Sequence, residues 1–216
     1  MTNRSNAEEG YRFTVDWFSS KKHIWDDIFR QLNPARFLEI GSFEGRSACY
    51  IIESVASQKD IELHCVDSWE GGIEHQPGGA APMDMSVIEQ NFLHNIELAA
   101  STVEHNVNLT LHKSMSDLAL AKLVAEGWSG YFDMIYVDGS HQAPDVLSDA
   151  VLAFKLLKVG GVLIFDDYLW YENLPYGKDI LRSPKLAIDS FVNINYRKMD
   201  VIRAPLGQLY LHKTRH

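Results

Sequence analysis

Short apolar runs that alternate with segments of helical spacing constrain this chain more than any other feature of its sequence. Arg36 to Ile40, Ile61 to Val66, Phe132 to Val137 and Val162 to Phe165 read as strands, as do the alternating Val107, Leu109 and Leu111. Between them, Ala48, Ile51, Ile52 and Val55 fall at i, i+3, i+4 and i+7, and Ile88, Phe92, Ile96 and Ala99 give a helix from about Ser86 to Ala100. Ser116 is expected to N-cap a helix that Gly127 closes. Pro144 and Asp145 open another, with Leu147, Ala150, Val151 and Phe154 on its buried face and Gly160-Gly161 at its end. A first helix is read over Thr14 to Leu32 from Trp17, Ile24, Trp25, Ile28 and Leu32, stopped by Asn33-Pro34. The tail reads as a helix near Leu186 to Ile194 and strands at about Lys198 to Arg203 and Gln208 to His212. This alternation predicts an α/β sheet, parallel at its centre, with helices on both faces of its continuously apolar strands. Ligands of such sheets bind beyond the carboxyl ends of the strands, at the topological switch point.

Composition narrows the partners. The 216 residues carry a formal net charge of −9 and no run of the about 20 apolar residues that span a bilayer. That balance argues against nucleic acid or a membrane as the main partner. The opening MTNRSNAEEG is polar and lacks the apolar core of a secretory signal. Two cysteines, Cys49 and Cys65, lie in apolar segments and read as buried thiols, so a cytoplasmic protein is expected.

The strand ends hold the chemistry. After the first strand comes Glu39-Ile40-Gly41-Ser42-Phe43-Glu44-Gly45, a glycine turn opening a helix whose first N–H groups lack intrahelical partners. The middle glycine of a GxGxxG motif is missing. The second strand ends in Asp67-Ser68-Trp69, where a carboxylate can accept both hydroxyls of a ribose and Trp69 can lie beside an adenine or simply belong to the core. Asp138-Gly139-Ser140-His141 and Asp166-Asp167-Tyr168 follow two strands expected to be neighbours. Three carboxylates brought together repel one another unless a cation joins them, and hard oxygen donors suit Mg²⁺, Mn²⁺ or Ca²⁺. His141 is placed to take a proton near neutral pH, or else to orient the loop by a hydrogen bond.

On these residues, Glu39-x-Gly41-x-x-x-Gly45 with Asp67 resembles motifs I and II of class I S-adenosylmethionine-dependent methyltransferases. The stretch FDMIYVDGSHQAPDVLSDAVLAFKLLKVGGVLIFDDY resembles methyltransferase family 24, which includes macrocin O-methyltransferase-like sugar enzymes, and its Asp…Asp-Asp layout is similar to metal-dependent catechol-type O-methyltransferases. The resemblance covers roughly residues 35 to 170. It implies a three-layer αβα Rossmann-like sheet of seven strands, ordered 3-2-1-4-5-7-6 with the last strand antiparallel, within one domain over 1–216. It implies that Glu39, Gly41, Ser42 and Gly45 lie by the methionine part of S-adenosylmethionine, Asp67 by the ribose and Ser114 by the adenine, with Ser68, Trp69 and Asp138 also at the cofactor. Asp138, Asp166 and Asp167 would hold a divalent metal, Mg²⁺ foremost, and His141 with Asp138 would be catalytic. Residues 1–34 are expected to be a helical extension, and 70–107 and 169–185 to be substrate-lid insertions. Phe43 departs from the glycine common in relatives.

The activity expected is transfer of a methyl group to a hydroxyl of a small molecule: a sugar, a natural product or a catechol-like ring. Self-association is left open. The competing readings are a Rossmann-like oxidoreductase binding NAD(P) or a nucleotide sugar, a non-catalytic S-adenosylmethionine-binding protein, and a metal-dependent hydrolase. The hydrolase would leave Glu39 and Asp67 without a role.

Overall fold

The computed structural model describes residues 10–79 and 81–216, so the expectation that rests on the first nine residues lies outside the described ones. Seven strands form one sheet: β1 (Arg36–Ile40), β2 (Ile61–Asp67), β3 (Val107–Lys113), β4 (Phe132–Val137), β5 (Leu157–Phe165), β6 (Met199–Ile202) and β7 (Leu209–Lys213). Their order is β3-β2-β1-β4-β5-β7-β6, as expected. β1 to β5 pair in parallel, while β7 runs antiparallel to β5 and to β6. The sheet winds one way from β1 to β3 and the other way from β4 onward. The switch point therefore lies between the ends of β1 and β4.

Among the described residues six α-helices cover the two faces: α1 (Lys22–Leu32), α2 (Arg46–Ile51), α3 (Met85–Ser101), α4 (Ser116–Ala125), α5 (Ala143–Leu156) and α6 (Pro184–Asn195). Strand alternation divides the core. Ile135 and Val137 of β4 join Leu120, Ala150 and Ile188 beneath α4, α5 and α6. Met134 and Tyr136 point the other way, to Trp25, Ile51 and Phe92 of α1, α2 and α3. Each of these buried side chains larger than alanine contributes about 2 kcal/mol by leaving water. Among the described residues no helix is long and apolar enough to cross a membrane.

Four local expectations need correction. The first helix begins at Lys22, after a 3-10 turn over Ser19–Lys21, and not at Thr14. The Asp16 carboxylate accepts the backbone N–H groups of Phe18 and Ser19 at 3.3 and 2.9 Å, a local turn that competes with helix, and it leaves Trp17 56% exposed. Ser116 is the first residue of α4 and Met115 occupies the cap, without a side-chain cap bond. On α5 the buried stripe is Val146, Asp149, Ala150 and Ala153, while Leu147 and Val151 face outward; a charged residue in the stripe hid its true phase. Gly160-Gly161 does not end α5 but lies inside β5, where the pairing shifts from Phe132↔Leu157 to Met134↔Val162. A Cβ at Gly161 would meet the Asp133 carbonyl oxygen at 2.8 Å, so the glycine lets a bulged β5 press against β4.

Candidate functional site

The turn after β1 is shaped by close approach. Gly41 has φ +84°, and a Cβ built there would lie 2.0 Å from the carbonyl oxygen of Asp138, so no side chain fits. The Asp138 N–H donates to the Ile40 carbonyl at 2.7 Å, which fastens the end of β4 to the end of β1. Phe43 takes φ +48°, a left-handed conformation that costs a non-glycine residue. Gly45, at φ +79°, caps α2 against the ring of Phe92.

Glu39 is fully buried on β1. Its carboxylate accepts from the Ser47 hydroxyl at 2.5 Å, and burial pushes its pKa up to about 7 despite the Ser42 and Ser47 hydroxyls beside it. Asp67 holds the turn together. Its Oδ2 accepts the N–H groups of Ser42 and Phe43, each at 2.9 Å, and its Oδ1 that of Trp69 at 2.7 Å. Burial raises its pKa while those three N–H groups pull it down. Three of about four lone-pair sites are thus engaged, so a ribose diol would have to displace at least one N–H. The Ser68 hydroxyl accepts from Glu70 N–H at 3.2 Å. Trp69 turns inward: it is 6% exposed, packs on Phe92 and donates its indole N–H to the Phe43 carbonyl. Ser114 donates its N–H to the Asp67 carbonyl, which brings the end of β3 to the end of β2.

The acidic side of the site lies across the switch point. Asp138, Asp166, Asp167 and His141 all line one cavity of about 220 Å³. The Tyr136 hydroxyl sits between Asp138 Oδ2, at 2.8 Å, and Asp166 Oδ2. Asp166 also accepts from its neighbour's N–H (Asp167) at 2.7 Å. Burial first, and then the neighbouring carboxylate charges, raise the pKa values of Asp138 and Asp166. Asp167, at φ +52°, turns instead to His141, whose Nε2 lies 2.9 Å from its Oδ2 and whose ring stacks on Trp170 at 4.1 Å. Among the described residues no three His, Cys, Asp or Glu side chains are gathered closely enough to hold a metal ion. The donor chemistry nevertheless suits a hard cation: half-buried carboxylates from two adjacent strand ends crowd each other's charge in one cavity.

A larger cleft of about 440 Å³ joins the two halves, running from Gly41, Ser42 and Ser47 to Tyr136, Asp138 and Asp166. Its outer wall is Val15, Trp17 and Phe18, from a strap that precedes α1. The strap is fastened by Thr14 N–H to the buried Glu44 carboxylate at 2.7 Å and by Arg12 N–H to Asn95 Oδ1 at 2.7 Å. Of the two segments read as lids, 70–107 contains α3 (Met85–Ser101), whose Ile88, Phe92 and Ile96 are core, while 169–185 carries the Trp170 that stacks on His141. The sequence reading missed the strap, Ser47, Tyr136 and Gln208. Tyr136 stands two positions before Asp138, on the same strand face, and that spacing is a usable signal; Gln208 reaches the site only through the β5–β7 pairing.

The family model described as a methyltransferase domain, methyltransferase family 24, matches residues 38–168. A curated protein from Dictyostelium discoideum, probable caffeoyl-CoA O-methyltransferase 3, is 32% identical over 171 residues, 79% of this chain and 57% of its own length. The chain thus spans little more than half of that relative. An O-methyltransferase from Bacillus cereus solved in complex with SAH superposes with a TM-score of 0.61 at 14% identity, covering 93% of this chain and 84% of that one. TomG, an O-methyltransferase from Streptomyces achromogenes solved with SAM, gives 0.58 at 18% identity, covering 93% and 82%. At such identities the two structures speak to the fold alone.

Proposed function

The chain belongs to methyltransferase family 24, and from that premise we propose that it transfers a methyl group from S-adenosylmethionine to a hydroxyl of a small molecule. The observation that carries the reading is the contact of Gly41 with Asp138, which fuses the glycine turn and the acidic cavity into one site. Similarity to a probable caffeoyl-CoA O-methyltransferase, and to a fold solved with SAH and with SAM, supports it.

When bound, the cofactor supplies a methyl group on a sulfonium and a divalent cation, Mg²⁺ foremost, lowers the pKa of a hydroxyl it holds. The chain's own task is alignment. Gly41, Ser42 and Gly45 offer backbone to the methionine end, with Glu39 and Ser47 behind them. Asp67 and Ser68 serve the ribose, and Trp69 and Ser114 flank the adenine side. Asp138, Asp166 and Asp167 are the residues that would hold the cation. His141 is the residue that would take the acceptor's hydroxyl proton, its ring oriented by the Asp167 carboxylate 2.9 Å from Nε2. Gly41 and Ser42 on one side of the cleft and His141 on the other would hold the sulfonium methyl and the deprotonated oxygen in line for that transfer. A net charge of −9 and two buried, unpaired cysteines accord with a small-molecule acceptor in the cytoplasm.

Calorimetric titration with S-adenosylmethionine and S-adenosylhomocysteine tests the reading. Asp67→Ala is expected to weaken both about 100-fold, because it removes a charged acceptor both from the ribose and from the N–H groups of the glycine turn. His141→Ala should keep cofactor affinity but lose transfer of a labelled methyl group to catechols and sugars. A folded wild type that binds neither compound, or that binds NAD(H) instead, would overturn the proposal.

A further inference from the structure

Gln208 is a buried amide with every bonding position used. Its Oε1 accepts from the Trp25 indole N–H at 3.0 Å and from the Tyr210 hydroxyl, and its Nε2 donates to Asp166 Oδ2 at 2.9 Å and to the Tyr136 oxygen at 3.4 Å. Because an indole N–H only donates, the amide oxygen must face Trp25 and the amide nitrogen must face Asp166. The amide therefore has one orientation. It is held from α1 and β7, elements outside the sequence motifs of the site. Tyr136, whose ring packs edge-on against Trp25 at 5.0 Å, carries the linkage from Asp166 to Asp138. Register explains the geometry: Phe165 pairs with Leu209, so Gln208 lies beside Asp166.

We propose that Gln208 and Tyr136 are positioning residues that fix the spacing of the Asp138 and Asp166 carboxylates, with Trp25 locking Gln208 from behind. This rests on the methyl-transfer reading and deepens it, since the pair so fixed is the one offered to a divalent cation. Partners that orient metal-holding carboxylates are usually worth about 10-fold or more in metal affinity. A structural role alone would not single out that affinity.

The test is Mn²⁺ titration by electron paramagnetic resonance on protein saturated with S-adenosylhomocysteine, whose own affinity is measured separately. Gln208→Leu is expected to weaken Mn²⁺ binding about 10-fold, leaving S-adenosylhomocysteine affinity within about twofold. Trp25→Phe, which keeps the ring packing but removes the N–H, should weaken it in the same direction by a smaller factor. The double variant should be no worse than Gln208→Leu alone, because Trp25 acts through Gln208. Unchanged Mn²⁺ affinity in folded Gln208→Leu, additive losses in the double variant, or a wild type that binds S-adenosylhomocysteine but no Mn²⁺ would each overturn the proposal. Failure to bind S-adenosylhomocysteine at all would instead sink the methyl-transfer reading.

Discussion

Asp149 shows what a single buried charge does to this chain. Its side chain is fully buried on α5, and burial pushes its pKa up to about 7, with Asp145 and Asp117 adding to the rise and the Ser116 hydroxyl opposing it. The folded carboxyl keeps its proton to about pH 7, whereas an unfolded one releases it near 3.8. Between those values the native state holds the extra proton, so stability falls as pH rises, and the full penalty is present above pH 7. Asp149→Asn should therefore leave the melting temperature near its wild-type value at pH 4 and raise it at pH 8, where a shift from 3.8 to about 7 corresponds to up to about 4 kcal/mol of stability. A variant no more stable than wild type at pH 8 in a pH series of thermal melts would show that this site relaxes around the charge. At the same scale, the placement of Glu39, Gly41, Asp67, Asp138 and His141 at or just beyond the strand ends was legible, because parallel strands deliver their carboxyl ends to one edge of the sheet. Trp69 illustrates the limit. Its place in the motif is visible in sequence, but the direction of its ring toward Phe92 is set by packing.

At the scale of the element, the strap before α1 is held by a polar clasp. The Glu44 carboxylate accepts from Thr14 N–H and from Asn91 Nδ2, while Asn95 donates to the Glu44 carbonyl and to that of Arg12. Arg46 adds a hydrogen bond to the Val15 carbonyl and lies over the Phe13 ring. Glu44→Ala would leave a buried amide without its acceptor, a cost of about 1–3 kcal/mol. The expected result is faster cleavage between residues 10 and 18 in limited proteolysis, with α3 and the sheet intact. Cleavage at the wild-type rate would mean that the Arg46 contacts suffice. The strap was read as the first turns of a helix because Trp17, Ile24 and Ile28 share its period. Asp16 breaks that pattern with a turn, which periodicity cannot register. Elements with one strong apolar stripe, such as β4 and α3, were read correctly in kind and place.

The whole molecule sets the site at the junction of two half-sheets, with the turn from β1 and β2 on one side and the carboxylates of β4 and β5 on the other. A ligand bridging them should stabilise the entire fold by mass action. At about 100 times its dissociation constant S-adenosylhomocysteine should add about 2.7 kcal/mol. For a chain of this size that corresponds to a melting point raised by about 5–10 °C in differential scanning fluorimetry. A cofactor that binds by calorimetry yet leaves the melting point unmoved would mean that its affinity for the unfolded chain matches that for the fold.

The sequence by itself determined the fold class, the strand order through its family motifs, and the group of residues at the strand ends. These depend on local periodicity and on the rule that parallel strands deliver their carboxyl ends to one edge. Only the tertiary structure decided that the strap closes the cleft, that Asp67 spends its lone pairs on the glycine turn, and that Gln208 and Trp25 stand behind Asp166. Those partners lie as many as 183 residues apart in the chain, and a hydrogen bond across such a distance follows from how helices and strands meet, which no local pattern encodes.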